Sequence, residues 1–312
     1  MNFYIVSIKQ LLRLIKYDIT KWYYFNESNI LLTRALKSQE CYFGPFVGEF
    51  GHLLSHIIPL ITYLHAKGIK ITYMGPEIHR SLFVDDHGNS LVYEYQSLRD
   101  FYSEVTPNCN DLVAPKDVLD VANEFIHRSR NSSTVFFDIS KKKYYWFGIC
   151  LWMFETNRYK LYTHKFNEVK KNQVALFARK KGQYSNVRGA DWDFQEIVNT
   201  ILEYTSLDVV ILGHPGFSHS IAPNERVKIN ISNNNYNILR ECSRSNFIVN
   251  QLSGTHYLGL YCNTEVLLLL KGDNVNYTNY LKDLNIRLLL KPSSSMVLIR
   301  NMKDLIIKLK TK

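Results

Sequence analysis

No apolar run in this 312-residue chain reaches the roughly 18 residues that a bilayer-spanning helix requires; the longest, WFGICLWMF at 146–154, is too short. The opening stretch MNFYIVSIKQLLRLIK carries charges inside its apolar run and has no small-residue cleavage site, so a signal peptide is not expected. Cysteines are few, at 41, 109, 150, 242 and 262; they are odd in number and form no CxxC pair. That spacing fits reduced thiols and neither a disulfide framework nor a zinc knuckle. A Walker loop, a GxSxG elbow and GxGxxG are missing, which leaves P-loop, serine-hydrolase and dinucleotide readings without support. An RNP-like aromatic strand, a basic heptad arm and a Cys/His finger are missing too, so nucleic acid is not an expected partner. No self-similarity at about 20–50 residues is visible, which excludes a solenoid.

What is present suits a globular protein. Hydrophobic residues make up 46% and charged residues 21%, too apolar for a disordered chain. At about 150 residues per domain the length predicts two domains. Lys and Arg number 38 against 28 Asp and Glu, a net charge of +10. With no nucleic-acid motif, that excess points to an anionic membrane face or a phosphate-bearing substrate, beside the plainer reading of a solvated basic surface. Ile5, Ile8, Leu12, Ile15, Ile19 and Trp22 recur at three and four, which predicts an amphipathic helix over 5–22. Lys9, Arg13 and Lys16 flank the stripe, an arrangement that suits an anionic bilayer surface. Packing of the same stripe on the protein's own core is the alternative.

Beyond that helix, strands and helices alternate. CYFG (41–44), IKITYM (69–74), LVYEY (91–95) and TVFFDI (134–139) read as strands, with helices over 49–66 and 116–130. Residues 141–168 break the pattern and read as an inter-domain connection. A second set follows: strands at 173–178, 207–212, 227–231, 247–250 and 266–270, and helices at 191–205, 235–242, 254–262 and 302–310. Asp191 or Asp193 is the expected N-cap of the helix over 191–205. Such alternation is the signature of parallel sheets covered on both faces. The expected fold class is α/β, two Rossmann-like domains facing a cleft. The expected units are an N-terminal helix at 1–30, a first domain with its connection at 38–168, a second domain at 169–295 and a C-terminal helix at 296–312, with a return to the first domain as one placement of that helix. Ligands of such sheets bind beyond the carboxyl ends of the strands.

Four loops at those ends carry chemistry. FGPFVGEFGH (43–52) offers Gly48 and Gly51 for close backbone approach, Glu49 at a helix start where the dipole favours a carboxylate, and His52 one turn on. Arg179 and Lys180 follow a strand directly and suit a phosphate. His214 ends LDVVIL and can meet a phosphate or a leaving oxygen. Ser253, Gly254, Thr255 and His256 open a helix with N–H groups and hydroxyls suited to an anion. Each has a plainer reading as a turn, a cap or an exposed charged loop. Two patterns are set aside: Asp191-Trp192-Asp193 reads as capping, and His52/His56 lacks the glutamate of a metalloprotease helix, so no metal site is expected.

GPFVGEFGHLLSHIIPLITYLHAKGIKITYMGPE, within 41–85, resembles the N-terminal half of bacterial glycosyltransferases of the GT-B type, with their Gly-Glu-Phe-Gly loop before a long helix. ALFARKKG (175–182) and NQLSGTHYLGLYCNTEVLL (250–268) are similar to the donor-binding half. Tyr257 stands where that family has its histidine, with His256 one place earlier, and Glu265 stands where proline is usual. His214-Pro215 is similar to the His-Pro of transferases that use CMP-sugars. The resemblance implies an acceptor domain at 38–168 and a donor-nucleotide domain at 169–295. It implies transfer from a nucleotide-sugar donor to a glycan or lipid-linked glycan acceptor in cell-surface polysaccharide or lipopolysaccharide synthesis, with no cofactor. The location implied is cytoplasmic, peripheral at the inner membrane face. Catalytic roles fall to Glu49 and His214, and donor or phosphate contacts to Arg179, Lys180, Ser253, Gly254, Thr255 and His256. Rival readings are a polysaccharide pyruvyltransferase of related frame and a noncatalytic sugar-binding or assembly protein.

Overall fold

The computed structural model describes residues 8–85, 87–102, 104, 114–140, 166, 168–180, 192–215, 218–232, 234–251, 253–270 and 296–311. A long helix, α1 (Ile8–Ser38), leads into β1 (Glu40–Gly44). Helix α2 spans 50–66 as Phe50–His52, a π-helical turn Leu53–Ile57 and Ile58–Ala66. Strands β2 (Lys70–Pro76) and β3 (Glu94–Leu98), helix α3 (Lys116–Arg130) and strand β4 (Val135–Asp138) complete the first unit. Its sheet has the order β3-β2-β1-β4, all parallel.

The second unit runs β5 (Gln173–Phe177), α4 (Phe194–Tyr204), β6 (Asp208–Gly213), β7 (Val227–Ile231), α5 (Asn235–Arg244), β8 (Phe247–Gln251), α6 (Leu258–Cys262), β9 (Glu265–Leu269), β10 (Met296–Ile299) and α7 (Met302–Leu309). Its six strands are ordered β10-β9-β8-β5-β6-β7, again all parallel. This is the doubly wound Rossmann order, and the first sheet repeats its first four strands. The strand order reverses between β1 and β4 in one sheet and between β5 and β8 in the other.

Sequence decides which strands lie inside. Every residue of β5, β8 and β9 is buried, as expected for central strands covered on both faces, and they read as continuous apolar runs. At the edge, β7 keeps Lys228 in water, which blunts an open strand. Side chains alternate between two cores. Val174, Leu176, Val209, Ile211, Val249 and Leu267 face α4 and α7. Ala175, Val210, Ile248, Val266 and Leu268 belong to a core that also holds Leu53, Leu54, Ile57, Ile58 and Ile61 of α2 and Phe43, Ile71 and Phe137 of the first sheet. The two units are therefore joined through one apolar core.

Three boundaries differ from the sequence expectation. The first helix extends to Ser38, and Ile19 and Trp22 of its expected stripe are exposed, against the reading that packs them on the protein's own core; Ile5 and the side chains of Ile8, Leu12 and Ile15 lie outside the described residues. LVY at 91–93 precedes β3 rather than forming it. Met296–Ile299 is a sixth strand of the second sheet, and α7 packs on that sheet with buried Leu305 and Leu309 instead of returning to the first unit. The connection at 141–165 and Gly182 lie outside the described residues.

Candidate active site

The loop after β1 is fixed at the crevice by backbone bonds: Phe46 N donates to Met74 O at 2.9 Å and Ile139 N to Gly44 O at 3.3 Å. Glu49 takes the N-cap position of α2 with extended backbone angles, and its carbonyl accepts from His52 N at 2.9 Å. Its side chain makes no capping bond, however. The carboxylate stands 46% exposed with Oε2 3.9 Å from His52 Nε2. The His52 ring meets His56 edge-on at 5.3 Å, and His56 Nδ1 bonds its neighbour Ser55 Oγ. Burial, and then the nearby His52, hold the His56 imidazole well below its usual pKa, so it is neutral.

Opposite stands the loop after β8. Ser253 Oγ and Thr255 Oγ1 lie 2.7 Å apart, and Asn250 Nδ2 donates to the same Thr255 oxygen at 2.7 Å. The His256 ring turns back to the Ser253 carbonyl, so it is engaged within the loop. Gly254 lies directly on Gly51: a Cβ on Gly51 would stand 2.8 Å from Gly254 Cα, and one on Gly254 would stand 2.7 Å from Gly51 Cα. No side chain fits between the two backbones. A little further along, the Tyr261 hydroxyl donates to Leu54 O, inside the π-helical turn, at 2.6 Å. Turns of that type are frequent at functional sites.

The cations come from the loops after β5 and β6. Arg179 bridges to Ser218, and His219 N donates to Ala178 O at 2.7 Å. Ser218 Oγ donates to His214 O at 2.9 Å. Arg179 and His214 thus belong to one tied pair of loops, with Lys180 exposed beside them.

Sequence reasoning missed the partner of His214. Asp100, just past β3 in the first unit, places Oδ2 3.8 Å from His214 Nε2 across the crevice. That spacing is longer than a direct hydrogen bond. His214 first, with the Tyr102 N–H, holds the Asp100 carboxyl below its usual range. Tyr102 also donates its hydroxyl to Gly48 O at 2.9 Å, tying the Asp100 loop to the glycine loop. His79 lies behind, buried against the rings of Phe46, Phe50 and Tyr102. Asn235 Nδ2 adds a bond to Ile78 O between the units at 2.7 Å.

Asp193 is the N-cap of α4, accepting from Gln195 N at 2.9 Å and Glu196 N at 3.1 Å, while Asp191 lies outside the described residues. Among the described residues no group of three metal-ligating side chains occurs.

No family model matches the chain, and no curated protein matches it. Solved structures do. A glycosyl transferase family 9 protein from Veillonella parvula DSM 2008 is 11% identical, with a TM-score of 0.46 over 87% of this chain and 88% of that one. The E. coli heptosyltransferase WaaC with ADP-2-deoxy-2-fluoro heptose is 8% identical, with a TM-score of 0.47 over 85% and 94%. The iron-containing dodecameric heptosyltransferase TibC in complex with ADP-D-beta-D-heptose is 8% identical, with a TM-score of 0.42 over 74% and 58%.

Proposed function

We propose that the protein is a glycosyltransferase of the GT-B type that moves a sugar from a nucleotide-activated donor to a cell-surface polysaccharide or lipopolysaccharide precursor. The observation that carries this reading is the meeting of two loops, each in the crevice of its own Rossmann-like sheet: Glu49–Gly51 and Ser253–Thr255 touch at Gly51 and Gly254. Transfer between two substrates needs such a place, because each is held by its own surface and both must react at one point.

In this reading Glu49 is the base. Its carboxylate takes the proton of an acceptor hydroxyl as that oxygen bonds the anomeric carbon. The bond from that carbon to the donor phosphate oxygen breaks, and the leaving phosphate carries away the electron pair. Arg179 and Lys180 meet the phosphate charge, and His214 meets the leaving oxygen. Asp100 positions His214 from across the crevice. Ser253, Gly254, Thr255 and His256 form the donor side of the wall; Gly48, Gly51 and His52 form the acceptor side. These cations take up the leaving-group charge, so a chelator leaves the rate unchanged.

Turnover of UDP-, GDP-, CMP- and ADP-sugars, followed by release of the nucleotide, tests the reading. Glu49→Gln keeps donor affinity and loses turnover by on the order of 100- to 10,000-fold. Near-normal turnover in that variant removes Glu49 as base, and loss of donor binding moves it to a sugar contact. Failure of every donor to react favours the noncatalytic alternative.

A further inference from the structure

Helix α1 has two apolar faces. One is occupied: Ser28, Leu32 and Ala35 are buried, and Tyr24, Phe25, Leu31 and Leu36 pack against the core as the helix lies over β1 and β4. The other faces solvent. Ile19, Trp22, Tyr23 and Ile30 are 61%, 69%, 56% and 60% exposed. With exposed Lys16, Arg34 and Lys37 they fall within about 120° of arc at about 3.6 residues per turn. No described carboxylate shares that arc. The polar residues on it are quiet: Asn26 Nδ2 donates to Trp22 O at 2.9 Å and Thr33 Oγ1 to Asn29 O at 2.9 Å. Both turn onto their own helix and ask little of water.

We infer that this outward face of α1 docks the protein on an anionic phospholipid bilayer. An apolar aromatic stripe about 16 Å long from Ile19 to Ile30, set among cations that extend the face to about 32 Å, has the chemistry of a helix lying in the headgroup plane. Aromatic rings suit that depth because one side of it is apolar and the other wet. The cations on the stripe match a negative surface, as does the net charge of +10. Among the described residues no helix is long and apolar enough to cross a membrane, so the contact lies along the surface. The docking face continues the stripe expected from the sequence: Ile19 and Trp22 lie on it, and exposed residues carry it beyond residue 22 to Lys37.

The inference does not rest on the transferase reading, and its test needs no turnover. Full-length protein is sedimented with vesicles of phosphatidylcholine containing phosphatidylglycerol, and with phosphatidylcholine alone. Binding to the anionic vesicles only, reversed by salt, is the expected result. Lys16→Gln/Arg34→Gln/Lys37→Gln weakens it by roughly a hundredfold, at about fivefold per cation near the surface. Trp22→Ser/Tyr23→Ser weakens it with no change of charge. Both variants alter exposed side chains and leave the buried face intact. Protein that stays in the supernatant at low salt overturns the inference, as does binding that neither variant changes. A lipid-free dimer dissolved by Trp22→Ser/Tyr23→Ser overturns it in favour of a second copy of this chain. Retention on single-stranded RNA without vesicle binding overturns it in favour of nucleic acid.

Discussion

His79 is buried among aromatic rings, and its Nδ1 has no hydrogen-bond partner among the described residues. Burial pushes its pKa down to about 3 from 6.5, against the opposing pull of Asp100. The native protein therefore keeps this ring neutral where the unfolded chain would protonate it. Its stabilising share is fully present above about pH 6.5 and is lost as pH falls towards about 3, at up to about 1.4 kcal/mol per pH unit. His79→Phe suits the aromatic surroundings and removes the titration, so its melting temperature should fall less than the parent's between about pH 7 and about pH 4. His56, also buried and neutral, keeps part of the slope in that variant. Equal slopes in parent and variant would mean that other groups set the acid limit. His79 was not legible in the sequence, and neither were Asp100 and Tyr102, because their partners lie in distant loops. Glu49, Arg179, His214 and Ser253 were legible as candidates, since a charged or hydroxyl residue just past an apolar run already sits at a strand's carboxyl end.

Elements whose signal is local came through the sequence well. Helix α3 at 116–130 has one apolar stripe, and β7 at 227–231 follows directly on a turn; both match the expected limits. Asp193 caps α4 with two N–H bonds at a point where propensity and position agree. Asp193→Ala should lower stability by about 1 kcal/mol, read as a shift of the denaturation midpoint, and leave donor turnover unchanged. A large loss of turnover would show that the carboxylate contacts substrate. Elements fixed by tertiary context were not legible. The π-helical turn 53–57 is set by packing against Tyr257, Leu258 and Tyr261 of the other unit, which no local period reports. The strand Met296–Ile299 is four residues long and gains its meaning only from β9 beside it. Helix α1 outruns its expected length because its apolar residues beyond 22 occupy both sides of the cylinder and mask any single stripe.

Two Rossmann-like units that share a core should unfold together. Interfaces between domains usually allow independent motion unless they are large and apolar, and here Leu53, Leu54, Ile57 and Ile58 are fully buried in the joint. Chemical denaturation should give one transition, with far-UV circular dichroism and tryptophan fluorescence coinciding. Two separated transitions would mean that the joint is weaker than its burial indicates. A fragment cut near residue 169 would expose that joint, so donor binding is better tested on the whole chain. The contact of Gly51 with Gly254 has a mechanical consequence. Two backbones that meet with no side chain between them can roll on each other but cannot slide far apart without losing the close fit, so they act as a fulcrum. Any small rotation of the units would turn about this point, and loops at a distance from it would travel the longest path. Spin labels on the Asp100 and His214 loops should separate on opening while a pair flanking Gly51 and Gly254 holds its distance. Equal displacement of both pairs would mean that the units part by translation and that the glycines are not a pivot.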